Sequence, residues 1–160
     1  MDKNSYKCNG VITKDDIVPP SEERMKEGPV VIIECVENIP CDPCVAACSK
    51  DAISMDEITD TPLVDFEECI GCALCVTECP GLAIFVVDCS YSEDKCKVTV
   101  PYEYLPVPEK GDKVIALDKW GEEVQEAKVT NVRHSGKTYA ITMEIDKKYV
   151  WEVRGLEVKK

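Results

Sequence analysis

The sequence predicts an α+β protein in which two strand–helix–strand units, related by a pseudo-two-fold repeat, are followed by a small antiparallel β-barrel. Three observations carry this expectation. Cys41, Cys44, Cys48, Ala52 and Ile53 recur 31 residues later as Cys72, Cys75, Cys79, Ala83 and Ile84. Residues 30–88 carry one basic and twelve acidic groups together with eight cysteines, whereas residues 106–160 carry eleven basic and ten acidic groups and no cysteine. The last third also alternates apolar and polar residues with the period of a half-buried strand.

In chain order, residues 1–29 form an N-terminal arm, in which Ser21-Glu22-Glu23-Arg24-Met25-Lys26 reads as a short capped helix stopped by Gly28-Pro29. Residues 30–88 hold the repeat. Each copy opens on a strand-like run, Val30-Val31-Ile32-Ile33 and Leu63-Val64-Asp65-Phe66. Each closes on another, Ala52-Ile53-Ser54-Met55 and Ala83-Ile84-Phe85-Val86-Val87. One or two helical turns follow Cys44 and Cys75. Residues 89–108 read as a linker, because Pro101, Pro106 and Pro108 fall within eight residues and favour an extended spacer. Residues 109–160 are the barrel, with strands at Val114–Leu117, Val124–Val132 and Tyr139–Ile145. Tyr149, Trp151 and Val153 continue the alternation after a hairpin turn at Asp146-Lys147-Lys148. This unit is expected to close its own core, with some aromatics left to dock a partner. Its opening, Lys110-Gly111-Asp112-Lys113-Val114, resembles the first strand of SH3-like barrels.

At 160 residues the chain is too short for a large catalytic core with its own dinucleotide-binding unit. The net charge of −12 argues against nucleic acid or an anionic membrane as partner. No run is long and apolar enough for membrane insertion, and Met1-Asp2-Lys3-Asn4-Ser5 leads into no signal-type stretch, so a cytoplasmic protein is expected. Eleven cysteines, an odd number, in a chain of that compartment point to metal ligation rather than a disulfide framework.

The spacing sharpens the metal. Cys69-Ile70-Gly71-Cys72-Ala73-Leu74-Cys75-Val76-Thr77-Glu78-Cys79-Pro80 is C-x2-C-x2-C-x3-C-P, a run in which three thiolates serve one iron cubane and the fourth serves another. Structural zinc is the alternative, but it usually takes two separated cysteine pairs per ion. Residues 30–88 therefore resemble bacterial-type ferredoxins, which implies the ferredoxin-like fold with two 4Fe-4S clusters. Carried over, the resemblance gives one cluster to Cys69, Cys72, Cys75 and Cys48, and the other to Cys35, Cys41, Cys44 and Cys79. Gly71 is expected to let the chain pass close to a cluster, and Pro80 to turn it after Cys79. The first copy departs twice. Ser49 replaces the proline, and Cys35 stands six residues before Cys41, with Asn38 at the regular place. Should Cys35 not ligate, a three-iron cluster or an exchangeable iron is the natural outcome.

Cys8, Cys89 and Cys96 are left over, read as small apolar residues or surface thiols, the alternative being a third site. His134 reads as a solvated turn residue. The chain shows no phosphate loop, no Ser/His/Asp set and no H-E-x-x-H, so no catalytic site of its own is expected, and an electron carrier is. The run through Pro20-Ser21-Glu22-Glu23-Arg24, Gly28-Pro29-Val30, Glu34-Cys35 and Ile39-Pro40-Cys41-Asp42-Pro43-Cys44 resembles ferredoxin-like subunits of amino-acid-oxidising flavoproteins. That resemblance implies a flavin-containing dehydrogenase subunit, or another redox protein, as partner. The alternatives are a free, diffusing ferredoxin and an iron–sulfur sensor or binding protein.

Overall fold

A computed structural model describes residues 5–159. The expectations about Met1 to Asn4 fall outside that range. In chain order the elements are α1 (Tyr6–Asn9), a 3-10 turn (Lys14–Asp16), α2 (Glu22–Glu27), β1 (Val30–Ile33), α3 (Pro43–Ala47), β2 (Ile53–Ser54), β3 (Leu63–Val64) and α4 (Leu74–Glu78). Then follow β4 (Ile84–Asp88), β5 (Lys95–Tyr102), β6 (Lys113–Leu117), β7 (Glu123–Ser135), β8 (Thr138–Asp146), a second 3-10 turn (Lys147–Tyr149) and β9 (Gly155–Val158). Among the described residues no helix is long and apolar enough to cross a membrane.

The repeat folds as two interlocked units. β1 pairs antiparallel with β4, and β2 with β3, so each unit exchanges a strand with the other. The symmetry extends to single dihedrals. Asp51 and Leu82, 31 residues apart, both take positive φ, at 52° each, and both donate their N–H to the carbonyl of the cysteine three residues earlier at 3.2 Å. Ser49 thus follows Cys48 through the same turn that Pro80 follows after Cys79, and the proline is not what makes the turn. A left-handed conformation is costly at Leu82 and less so at Asp51, whose short polar side chain tolerates it.

Seven strands form one sheet in the order β1-β4-β5-β8-β7-β6-β9. Two expectations change here. The stretch read as a linker contains β5, which pairs along its whole length with β8, from Lys95 opposite Asp146 to Tyr102 opposite Tyr139. The three prolines misled because only Pro101 lies in the strand, and beyond Thr99 β5 has no partner on the β4 side, where a missing N–H is tolerated. The barrel expectation is also modified. Among the described residues β9 pairs with β6 and β1 with β4, and no pairing closes the sheet. The predicted last hairpin is instead the Lys147–Tyr149 3-10 turn, and Tyr149 and Trp151 pack half-buried against the core rather than standing free.

β1 is buried on both faces, which is why four apolar residues run without alternation. Val31 and Ile33, with Ile84 and Val86 of β4, face α3, α4 and the cysteines. Val30 and Ile32, with Phe85 and Val87, share one core with Val98, Val100, Val114, Val129, Ile141 and Leu156. The C-terminal strands therefore do not close a core of their own.

Cys89 and Cys96 correct the thiol reading. They follow the pair Asp88–Lys97 in the β4–β5 register and are joined by a disulfide, with Cα atoms 4.3 Å apart. Both are buried, so they are neither free core thiols nor surface ones. The compartment argument hid the bond, because it turns on a hairpin register that lay inside the presumed linker.

The arm is fastened to the repeat by Arg24. Ser21 caps α2 by accepting the Arg24 N–H at 3.1 Å. The guanidinium then donates to the carbonyls of Phe66 at 2.6 Å, Cys69 at 2.5 Å, Gly28 at 3.3 Å and Pro29 at 3.4 Å. Gly71 completes the joint. At φ +61° a β-carbon there would stand 2.5 Å from the carbonyl carbon and Cβ of Pro29. The requirement for glycine thus comes from the arm, whatever lies on the other side of the loop.

Two outcomes follow from this packing. A chain ending at Pro106 loses β8 and everything beyond. Val30, Val87, Val98 and Val100 are completely buried, and re-exposing such side chains at about 1.5–3 kcal/mol each rivals a whole domain stability of about 5–15 kcal/mol. The truncated chain is expected to lack cooperative thermal unfolding in near-UV circular dichroism, and a sharp transition would refute the shared core. Gly71→Ala is expected to cost about 2 kcal/mol or more, from the left-handed backbone and the clash with Pro29. Thermal melting of the variant checks this, and an unchanged midpoint would show that the loop and arm part freely.

Candidate metal centre

Each helix of the repeat delivers two cysteines four residues apart, and its C-terminus sends them to different places. In α3, Pro43 takes the first helical turn, where its missing N–H is harmless, and Cys44 points into the core. Cys48 caps the helix in an extended conformation, φ −79° and ψ 100°. In α4, Cys75 is buried and Cys79 caps with φ −72° and ψ 113°. Leaving the helical conformation swings the fourth cysteine away from the one a turn before it.

The result is two quartets. A cavity of about 480 Å³ is lined by Cys35, Cys41, Cys44 and Cys79. A second, smaller space is lined by Cys48, Cys69, Cys72 and Cys75. Electrostatics divide the thiols in the same way. Burial pushes the Cys44 thiol up to about 11, helped by Cys79 and Cys41. It pushes Cys75 up to about 12, helped by Cys69, Cys72 and Cys48. Cys41 is raised by burial, then by Cys79 and Cys35. Buried thiols that disfavour one another's ionisation suit a cationic centre, which removes the penalty by taking the thiolates as ligands. Among the described residues no three or more Cys, His, Asp or Glu side chains are spaced for a single metal ion. The donor set, two quartets of sulfur, has the chemistry of iron–sulfur ligation.

Cys35 lies in the first quartet despite its irregular spacing, whereas Asn38, at the regular place, donates its side-chain amide to the Thr59 carbonyl at 3.3 Å. The other quartet has a backbone feature of its own. Gly71 and Ala73, on either side of Cys72, have φ of 61° and 64°. Such alternation turns successive amides toward one point and suits a bound anion. Cys8 is exposed, and His134, read as a turn residue, is exposed within β7 opposite Tyr139, the two rings 5.5 Å apart.

The sequence reading missed the cations. Residues 30–88 contain only Lys50 as a basic residue, which lines the space of the second quartet, so their other positive neighbours come from elsewhere. Arg24 binds the Cys69 carbonyl, and Arg133 of β7 donates to the Cys72 carbonyl at 3.0 Å. Glu34, next to Cys35, is buried and accepts from Lys119 at 2.8 Å and Arg154 at 2.9 Å. The signal was the charge imbalance itself, without any indication of which distant cations answer it.

Comparison with known proteins agrees with this chemistry. Residues 34–83 match the family model of the 4Fe-4S dicluster domain. A polyferredoxin-like subunit of an aliphatic sulfonate oxidoreductase from Pyrococcus furiosus is 49% identical over 47 residues, 29% of this chain and 27% of that protein. An uncharacterized ferredoxin of Methanocaldococcus jannaschii is 40% identical over 82 residues, 51% of this chain and 49% of that one. The beta subunit of a dissimilatory-type sulfite reductase from Archaeoglobus fulgidus is 29% identical over 127 residues, 71% of this chain and 34% of the subunit. The chain thus spans half or less of the length of these relatives. No solved structure matches. The segment 34–83 is a ferredoxin-like, 4Fe-4S cluster-binding domain.

Proposed function

We propose that the chain is an electron-transfer subunit carrying two 4Fe-4S clusters, one held by Cys35, Cys41, Cys44 and Cys79 and the other by Cys48, Cys69, Cys72 and Cys75. The observation that carries this reading is the division of eight thiols into two quartets, each borrowing its fourth member from the other half of the repeat. When bound, such clusters accept and release single electrons. The protein's own part is to fix the thiols, to supply the neighbouring cations and to keep the quartets on one face of a common sheet.

The partner in this proposal is another subunit of an oxidoreductase complex. Two relatives bear names of oxidoreductase or reductase subunits, which supports such a setting. The narrower partner, a flavin-containing dehydrogenase, rests on the sequence resemblance alone. The acidic segment favours a basic face on whichever subunit docks, and residues 109–160 belong to the same cytoplasmic carrier as a sheet extension of SH3-like strand pattern.

Anaerobic reconstitution followed by iron and sulfide assay tests the reading. About eight irons and eight sulfides are expected, whereas four irons or stoichiometric zinc would contradict it. Cys72→Ser is expected to damage one cluster and spare most of the other's signal in electron paramagnetic resonance. Cys35→Ser is expected to alter the spared cluster instead, and an unchanged spectrum and iron content would remove Cys35 from the ligand set.

A further inference from the structure

The cavity bounded by the first quartet has a second wall, made from the C-terminal strands. Arg154, just before β9, is the most deeply buried cation facing it, with 4% of its side chain exposed. Its Nε donates to Glu34 at 2.9 Å, and its Nη1 to the carbonyls of Val150 at 2.8 Å and Val153 at 2.7 Å. The guanidinium carbon lies 5.0 Å from the centre of the Phe85 ring. Nη2 is buried and has no hydrogen-bond partner. Lys119, also on this wall, donates to the same Glu34 oxygen and to the Ile12 carbonyl.

Two deficits therefore coincide. Glu34 is one carboxylate shared by two cations, so it offsets only part of the Arg154 charge while Asp16 also acts on Lys119, and the Nη2 donor is unsatisfied. Each is costly on its own. Both are relieved by an anion with acceptor atoms in the cavity, which is what a thiolate-ligated cluster is. Adding an electron makes that anion more negative, and a buried cation stabilises the more negative state with little screening. Among the described residues the second quartet has no buried equivalent, since Arg24 and Arg133 are engaged by the carbonyls of Cys69 and Cys72 and Lys50, which lines that space, is exposed.

Resting on the ligand assignment above, we propose that Arg154 is the resident counter-charge of the cluster held by Cys35, Cys41, Cys44 and Cys79 and selectively raises its reduction potential. Arg154 is a positioning residue in this role, and Glu34 orients it while offsetting part of its charge. The step concerned is a one-electron reduction in which no bond is made or broken. In the test the electron comes from dithionite.

The experiment is a potentiometric titration of the reconstituted full chain, followed by electron paramagnetic resonance, with iron and sulfide assayed on every sample. Cys72→Ser chains identify the signal of the first cluster. Arg154→Met is expected to make that cluster at least tenfold harder to reduce, 59 mV for a one-electron couple, with the second cluster moved by far less. Arg154→Lys is expected to restore most of the shift. Glu34→Gln, which removes the carboxylate that offsets Arg154, is expected to move the same cluster in the opposite direction, and it carries the test should Arg154→Met fail to hold iron. Two clusters whose potentials stay put, or shift together, would overturn the role of Arg154 and leave the ligand assignment standing. A wild-type chain without two clusters would overturn the assignment itself.

Discussion

The antiparallel pair β1–β4 is buried on both faces, and the rest of the molecule depends on that fact. Its four cross-strand pairs, from Val30–Val87 to Ile33–Ile84, join the first strand of one repeat to the last strand of the other. One face closes over α3, α4 and the cysteine loops, and the opposite face is the floor of the core built by β5 to β9. A two-stranded ribbon with short helices is marginal by itself. Here the C-terminal strands supply the missing layer, so the cysteine segment and the sheet that follows form one structure despite their different compositions.

Charge tightens the same union. The cysteine segment is strongly acidic and would become more so with clusters in place, yet apart from Lys50 the cations near the quartets come from the arm, from the β6–β7 turn, from β7 and from the stretch before β9. Exposed pairs of this kind contribute little. The Glu34 group differs because Glu34 and Arg154 are buried, so that removing either leaves an uncompensated charge, at a cost of roughly 3–5 kcal/mol. The arm and the C-terminal strands are therefore structural partners of the quartets.

What was legible in the sequence was whatever repeats or alternates locally. The 31-residue offset located both helices and the closing strand of each copy, the strand-like runs ahead of the cysteines located the opening strands, and even Asp51 and Leu82 share their backbone geometry across the offset. Val30 to Ile33 were read as a strand, and their lack of alternation is explained by the cover that the structure puts on both faces. Long-range relations were not legible. β5 was hidden by prolines that lie mostly beyond it, and the Cys89–Cys96 bond by a register visible only once β5 exists. Tyr149 and Trp151 kept a period of two through a 3-10 turn, which sequence alternation cannot tell from a strand. Arg24, Lys119, Arg133 and Arg154 carry no local motif, and their pairing with particular carbonyls and with Glu34 is a property of the assembled sheet.

The central claim is that eight cysteines divide into two quartets that exchange a member. An iron-edge anomalous difference map from crystals of the anaerobically reconstituted full chain tests it most directly. The account predicts two iron sites, one enclosed by Cys35, Cys41, Cys44 and Cys79 and the other by Cys48, Cys69, Cys72 and Cys75. A single site, or one site bounded by both Cys44 and Cys48, would contradict it.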